Sequence, residues 1–305
     1  MGTTLYHGCR MSAKLGYTIL MQRSAQVLGV VILVLALVVA VIWWALASAS
    51  TSSEMTVTFL DVGQGDATLI ESPSGVQVLI DGGKNRAVIR ELSREMPLFD
   101  RSLDVVIATH PDADHIGGLV DVLARYQVAL VGQSSVEDSE GPDAVAFAQS
   151  VVGKKAKVVT LERGHVIDLG DGARLEILFP DRGVPEIETN TGSVIARLVY
   201  GSTAFMLTGD SPAAIEEYLV QLDGEALEAN VLKVGHHGSR TSSSLIFVGY
   251  VSPEYAVISR GCDNSYGHPH EEVLATIARL EILTLDTCEE GSITFVSDGI
   301  SVRRK

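Results

Sequence analysis

Residues 27–47 read VLGVVILVLALVVAVIWWALA, 21 consecutive positions without a charge or a strongly polar group. A helix of that length is roughly 30 Å long, the thickness of a bilayer's hydrocarbon core, and the run exceeds the ~7–15 apolar residues of an ordinary signal peptide. It predicts one transmembrane anchor. Arg10, Lys14 and Arg23 precede it and Trp43 and Trp44 lie at its far end. Charge bias and aromatic belt therefore make residues 1–26 a cytoplasmic lead and place everything after residue 50 outside the cell membrane. Ala45-Leu46-Ala47 also has the small-residue pattern of a cleavage site; with either outcome the remainder is extracytoplasmic. Residues 48–54 (SASTSSE) read as a polar linker, leaving 55–305 as one continuous domain.

Charge restricts what that domain binds. The chain has 23 Lys and Arg against 38 Asp and Glu, and its first 50 residues hold three bases and no acid, so the rest carries 20 − 38 = −18. Unspecific attraction of nucleic acid to a basic surface is excluded; an anionic substrate has to be met by a local cation cluster or by bound metal ions. Lys154, Lys155, Lys157 and Arg163 form the one compact basic stretch, which reads as a solvated helix end. Cys9, Cys262 and Cys288 are too few for a disulfide framework or a cysteine metal knuckle, and a single Cys262–Cys288 bridge stays open.

Hydrophobic periodicity predicts strands over 56–60, 67–71 and 76–80, separated by Gly63-Gln64-Gly65 and Pro73-Ser74-Gly75, hence an antiparallel meander. A helix over 84–95, a buried strand over 103–108 and a helix over 116–125, entered through Gly117-Gly118, follow. Further strands are expected at 128–131, 157–160, 173–179, 193–200, 204–208, 229–234, 255–259, 282–285, 292–296 and 299–302, with helices at 143–152, 212–222, 243–250 and 270–280. Such alternation implies an α/β domain of mixed sheets with helices outside.

Six of the eight histidines fall in three polar clusters placed after strands or at helix starts. The segment THPDADHIGG at 109–118 packs His110, Asp112, Asp114 and His115 into six positions. Alternation along an extended chain sends His110 and Asp112 to one side, while Asp114 and His115 face another, so two metals suit the four ligands better than one. A metal pair about 3.5–4 Å apart needs a bridging carboxylate, and Asp210, which ends a strand after Gly209, is the candidate. In LKVGHHGS at 232–239, His236 or His237 completes the second metal. Asp61, Gln64, Asp66 and Asp81 either support the site from behind or cap turns.

The strings FLDVGQGD at 59–66, IDGG at 80–83, THPDADHIGG at 109–118, LTGD at 207–210 and LKVGHHGS at 232–239 resemble the metallo-β-lactamase-fold domain of ComEC-type competence proteins. The resemblance covers nearly all of residues 55–303. It implies a four-layer αββα sandwich with a dinuclear metal site, and hydrolysis of phosphate esters or nucleic acid in a setting of DNA uptake. Position by position, His110 and Asp112 would bind one metal, Asp114 and His115 the other, Asp210 would bridge and His236 would finish the second site. Where related proteins usually supply one more histidine, this chain has Asn190 as its nearest substitute. Asp in place of a more usual His at 112 makes Mn2+ as credible as Zn2+. His268 resembles the family's C-terminal element, and it or His237 would assist the leaving group.

The resulting expectation is a membrane-anchored, extracytoplasmic phosphodiesterase or nuclease with two divalent ions, its catalytic groups being Asp114, Asp210, His237 and His268. Its expected partners are nucleic acid, the bilayer, and a separate membrane channel protein, since ComEC-like proteins also contain a many-helix channel. Hydrolysis of a small ester, lactone or choline phosphate is the alternative chemistry. A binding domain that kept the fold without activity is the alternative class.

Overall fold

The computed structural model describes residues 23, 26–44, 54–136, 141–182 and 188–305. Most of the lead, with Cys9, the end of the anchor at 45–47 and all but Glu54 of the linker lie outside the described residues. The chain divides into two units, Met1–Thr51 and Ser52–Lys305. In the first, α1 (Gln26–Trp44) is a 19-residue helix of mean hydropathy 3.1 whose apolar side chains are all exposed, as an apolar surface meant for lipid would be.

In the second unit, β1 (Met55–Phe59), β2 (Thr68–Glu71) and β3 (Gln77–Ile80) form the antiparallel meander. After α2 (Ala87–Glu95) the sheet continues in parallel: β4 (Ser102–Ala108), α3 (Ala113–Arg125), β5 (Gln127–Gln133), α4 (Pro142–Val152) and β6 (Lys157–Thr160). A second sheet holds β7 (Val166–Asp168), β8 (Ala173–Phe179), β9 (Ile195–Tyr200), β10 (Thr203–Leu207), β11 (Val231–Lys233), β12 (Tyr255–Ile258) and β13 (Leu283–Asp286). Helices α5 (Ala213–Asp223), α6 (Leu245–Val251), α7 (Glu271–Arg279) and α8 (Thr287–Glu290) belong to this half. Finally β14 (Ile293–Ser297) and β15 (Val302–Arg304) return to the first sheet, giving the orders β15-β14-β1-β2-β3-β4-β5-β6 and β13-β12-β11-β10-β9-β8-β7.

Both faces of the central strands are apolar because each sheet is covered twice. In β4, Val105 and Ile107 enter the core between the sheets while Val106 turns outward onto Leu92, Leu119 and Leu123 of α2 and α3. On the other sheet, Phe205 and Leu207 point inward, and Met206 packs outward with Leu219 and Phe247. Rings of Phe59, Phe205 and Tyr255 meet Phe295 edge-on at 6.1, 6.2 and 5.1 Å in the centre. The layers are thus helices, sheet, sheet, helices, the αββα sandwich expected.

Three boundaries differ from the sequence reading in ways that matter. Helix α3 starts at Ala113, with Asp112 at its N-cap position and Asp114 in the first turn, where the helix dipole favours a carboxylate; Gly117 and Gly118 lie inside it. A Cβ on Gly117 would come within 2.3 Å of the Lys84 carbonyl oxygen, and one on Gly118 within 2.0 Å of that of Gly82. The glycine pair lets the helix lie directly on the backbone that follows β3. Strand β7 has only three residues and alternates exposed with half-buried, too short for a periodic signal. The last strand begins at Val302, because the Asp298 carboxylate accepts the Ile300 and Ser301 N–H groups and holds a turn there. The basic stretch is not a patch: Lys154 donates to the Tyr126 carbonyl oxygen, and Arg163 pairs with Asp223 of α5.

Buried Glu216 of α5 anchors the segment after β11 by accepting the Ser243 and Ser244 N–H groups at 2.7 and 2.8 Å. Burial pushes its carboxyl up to about 7, against the pull of those donors. A carboxyl with a raised folded-state pKa favours folding most at low pH, and that contribution is lost as pH climbs from about 4.3, the unfolded value, through the folded one. The Glu216→Gln variant, which does not ionise, is expected to gain about 2–3 kcal/mol relative to the parent between roughly pH 5 and pH 8. Urea unfolding followed by circular dichroism reads the gap; a pH-independent gap contradicts the assignment.

Candidate metal centre

The parallel strands of both sheets end at the same edge, and the polar clusters are their continuations. Thr109 and His110 follow β4, Asp210 follows β10, and β11 leads to the tight turn Gly235–Gly238. Crevices beyond the carboxyl ends of strands are where α/β sheets place their chemistry. His236 and His237 both take left-handed conformations, with φ of 48° and 54°. Two consecutive non-glycine residues in this region are strained, and such strain gathers at functional sites.

The imidazole Nε2 atoms of His115 and His237 each lie 3.3 Å from Asp210 Oδ2, and that of His236 lies 3.6 Å from it. His237 Nε2 is also 3.4 Å from Asp114 Oδ2, while His110 Nε2 is 3.8 Å from Asp112 Oδ2. Ligand atoms of His110, His115 and Asp210 lie within 4.8 Å of one another, as do those of Asp114, His115 and His237. His110, His115, Asp210 and His237 are buried.

The opposite edge of each ring is fixed by a hydrogen bond. His115 Nδ1 donates to Asp81 Oδ2 at 2.8 Å, and His237 Nδ1 donates to the Ser259 carbonyl oxygen at 3.0 Å. Thr109 Oγ1 donates to Asp81 Oδ2 and so accepts from His110 Nδ1, at 3.0 Å. Each Nε2 is therefore left as a lone pair facing inward, and among the described residues none of the three has a hydrogen-bond partner.

Charges follow from this crowding. Burial disfavours ionised His115 and His237, yet the carboxylates of Asp210 with Asp81, and of Asp210 with Asp66, hold the two imidazoles well above their usual range. Reciprocally, His237 and His115 overcome burial and hold Asp210 well below the usual carboxylate range. Asp114 is lowered against its burial by the His237 ring. Burial and the neighbouring His115 bring His110 down to about 3, and burial raises Asp112.

All the histidines and aspartates proposed as metal ligands meet at this edge, with a division of labour between neighbours. His237 is buried against Asp114 and Asp210; His236, expected to be the ligand of the pair, has a quarter-exposed side chain with its Nδ1 facing Thr241 Oγ1 at 3.1 Å. Asn190 sits in the 3₁₀ turn Thr189–Gly192, its side-chain oxygen buried without a hydrogen-bond partner, and the adjoining Thr189 hydrogen-bonds Asp112. His268 packs 5.5 Å from the His236 ring, lowered to about 4 by burial and the surrounding histidines. His165 accepts the Glu162 backbone N–H away from the cluster, while His270 accepts that of Arg240 and packs its ring 4.9 Å from His268.

Of the support residues, Asp81 orients His115, Gln64 donates to Asp114 at 3.3 Å, and Asp61 caps a turn at Gly63. Asp66 pairs with Lys233 and stands 3.2 Å from His237 Nδ1. Lys233, buried and 3.9 Å from Asp210 Oδ1, was missed from sequence; a lysine at the inner end of a short apolar strand, three residues before a histidine, was the available signal. Thr109 and the Ser259 carbonyl were likewise missed, the second because it leaves no side-chain trace.

The donor set fits divalent cations. Three buried ring nitrogens and Asp210 Oδ1 have no hydrogen-bond partner, and ligand atoms of imidazole and carboxylate lie in overlapping groups, as a site for two ions requires. The chain is 30% identical over 263 residues to ComE operon protein 3 of Bacillus subtilis (strain 168), covering 80% of this chain and 33% of that protein. To Competence protein ComA of Neisseria gonorrhoeae it is 32% identical over 244 residues, covering 80% and 32%. It thus spans about a third of the length of these relatives. The structure of CmlA, a diiron beta-hydroxylase from Streptomyces venezuelae, superposes with a TM-score of 0.51 at 13% identity, over 84% of this chain and 55% of that one, a likeness of fold. The family model of the metallo-beta-lactamase superfamily matches residues 60–261, from the end of β1 to just past β12 and including His110, His115, Asp210 and His237: the chain belongs to the metallo-beta-lactamase superfamily.

Proposed function

We propose that the protein is a membrane-tethered, extracytoplasmic phosphodiesterase that works with two divalent cations, with nucleic acid as its substrate class. The observation that carries this reading is the convergence of three unpartnered, buried Nε2 atoms on the Asp210 carboxylate. Bound there, two divalent cations would supply a water of lowered pKa and compensation for charge growing on phosphoryl oxygens. His110 and Asp112 would hold one ion, Asp114, His115 and His237 the other, with Asp210 shared and Asn190 on the first side. A set this rich in carboxylate oxygen suits Mn2+ as well as Zn2+. His237 and Asp114, held by Ser259 and Gln64, act through position. His236 and His268 stand at the more open side; burial keeps both imidazoles neutral near pH 7, so their role is to donate a hydrogen bond to the departing oxygen.

Nucleic acid is favoured over a small ester, lactone or choline phosphate because the relatives carry competence names; a membrane channel protein is the proposed partner. Support for an external location comes from α1, from the bases before it, and from the Cys262–Cys288 disulfide, whose Cα atoms are 5.0 Å apart. Disulfides persist in oxidising compartments.

Elemental analysis of the purified full-length protein is expected to find about two divalent ions per chain. His237→Ala is expected to lose about one of them; His236→Ala is expected to keep both while hydrolysing bis-p-nitrophenyl phosphate and single-stranded DNA about 10²-fold more slowly or worse. Equal metal loss in the two variants returns His236 to the ligand set. A protein with less than one ion per chain and no hydrolysis is a binding domain, and turnover of lactones alone overturns the phosphodiesterase reading.

Location has its own assay. Protease added to intact spheroplasts is expected to degrade the domain, and alkylation under non-reducing conditions to leave Cys262 and Cys288 unlabelled; protection from protease places the domain inside.

A further inference from the structure

Beside Asp114, a cavity of about 250 Å³ is lined by Gln64, Lys84, Asp114, Asp263, Asn264 and Tyr266 among others. Tyr266 is 63% exposed. One face is stacked on the buried His268 imidazole at 5.6 Å between centroids and 23° between planes, leaving the other available. His268 in turn lies 5.5 Å from the His236 ring and 6.4 Å from that of His237. The exposed tyrosine is thus one ring removed from the metal-facing histidines.

The platform is held rigid. Asn264 donates to the carbonyl oxygens of Gly261 and His268 and accepts the His268 N–H, closing the loop on itself. Cys262 is bridged to Cys288. Gln64 accepts the Gly261 N–H at 3.4 Å and donates to Asp114, so the loop is tied to the proposed metal ligand. Lys84 is exposed, makes no ion pair among the described residues, and has its carbonyl packed against Gly117. Against the −18 carried after residue 50, an exposed lysine without an ion pair among the described residues and an exposed tyrosine share this cavity beside Asp114.

We propose that Tyr266 and Lys84 form a seat for the nucleotide next to the scissile phosphate of a single-stranded nucleic acid: the unpaired base stacks on Tyr266 and its phosphate meets Lys84. Stacking of bases on aromatic rings, combined with cations that follow the backbone, is how single strands are held without sequence preference. A base paired within a duplex cannot offer its face, so the seat selects single strands. This inference rests on the phosphodiesterase reading, and binding and hydrolysis are measured separately so that either can fail alone.

The test is fluorescence anisotropy of the full-length, metal-loaded protein in detergent with a short, cleavage-resistant phosphorothioate thymidine strand, beside the same strand made of abasic units. Tyr266→Ala is expected to weaken binding of the thymidine strand about 5- to 150-fold, and Tyr266→Phe to retain it. Neither change is expected to alter binding of the abasic strand. Lys84→Gln is expected to weaken both and to reduce the salt-dependence slope by about 0.7. A parent protein that binds the two strands equally, or not at all, overturns the proposal, as does Tyr266→Phe behaving like Tyr266→Ala. Tight, Tyr266-dependent binding without cleavage of an ordinary phosphodiester strand leaves the seat standing and overturns the hydrolase.

Discussion

Three imidazole lone pairs and a carboxylate face one another across a buried space that supplies none of them with a hydrogen. A buried polar atom without a partner costs about 1–3 kcal/mol, so His110, His115 and His237 Nε2 with Asp210 Oδ1 together represent several kcal/mol. Net folding stability is only about 5–15 kcal/mol. An arrangement this costly persists where something positive fills it. Divalent ions would do so without reorienting any ring.

The rest of the edge is built to keep the lone pairs facing inward. Each ring is held at Nδ1, by Asp81, by Thr109 or by the Ser259 carbonyl. Asp81 is in turn reached because Gly82 and Gly118 allow α3 to lie on the backbone after β3, with the Gly82 N–H donating to the His115 carbonyl oxygen at 2.8 Å. Gly65 plays the same part for the β1–β2 turn: a Cβ there would come within 1.9 Å of the Asp114 carbonyl oxygen. Buried Lys233 joins the two sheets electrostatically, since Asp66 belongs to one and Asp210 to the other. A buried pair of this kind contributes little to stability and is better understood as fixing a unique arrangement.

This explains which parts of the molecule could be read from the chain alone. Strand β8 appears in the sequence at its observed limits because its alternation is local. The histidines and aspartates gathered at the strand ends are visible because imidazole and carboxylate are dense there. What buries His237 and leaves His236 a quarter exposed is the twist of a left-handed turn, and no residue type reports it. The start of α3 was hidden because Asp112 and Asp114 look like loop residues until their position at a helix N-terminus is known. Lys233 and Ser259 were hidden for a different reason: their partners lie far along the chain or are backbone atoms.

The acidic surface and the proposed anionic substrate are reconciled by range. At physiological salt the screening length is about 8 Å, so most of the domain's −18 is not felt by a phosphate seated at the strand ends. What is felt there is local: buried Lys233, exposed Lys84, and whatever cations the ring nitrogens hold. A duplex lying across the domain would bring many phosphates against distant carboxylates, with few bases of the protein to release its counterions. A single strand entering by its edge brings few. The same charge distribution that rules out unspecific DNA binding therefore leaves room for a short, flexible substrate at one point, and it makes the local cations, rather than the overall charge, the determinant of what the site admits.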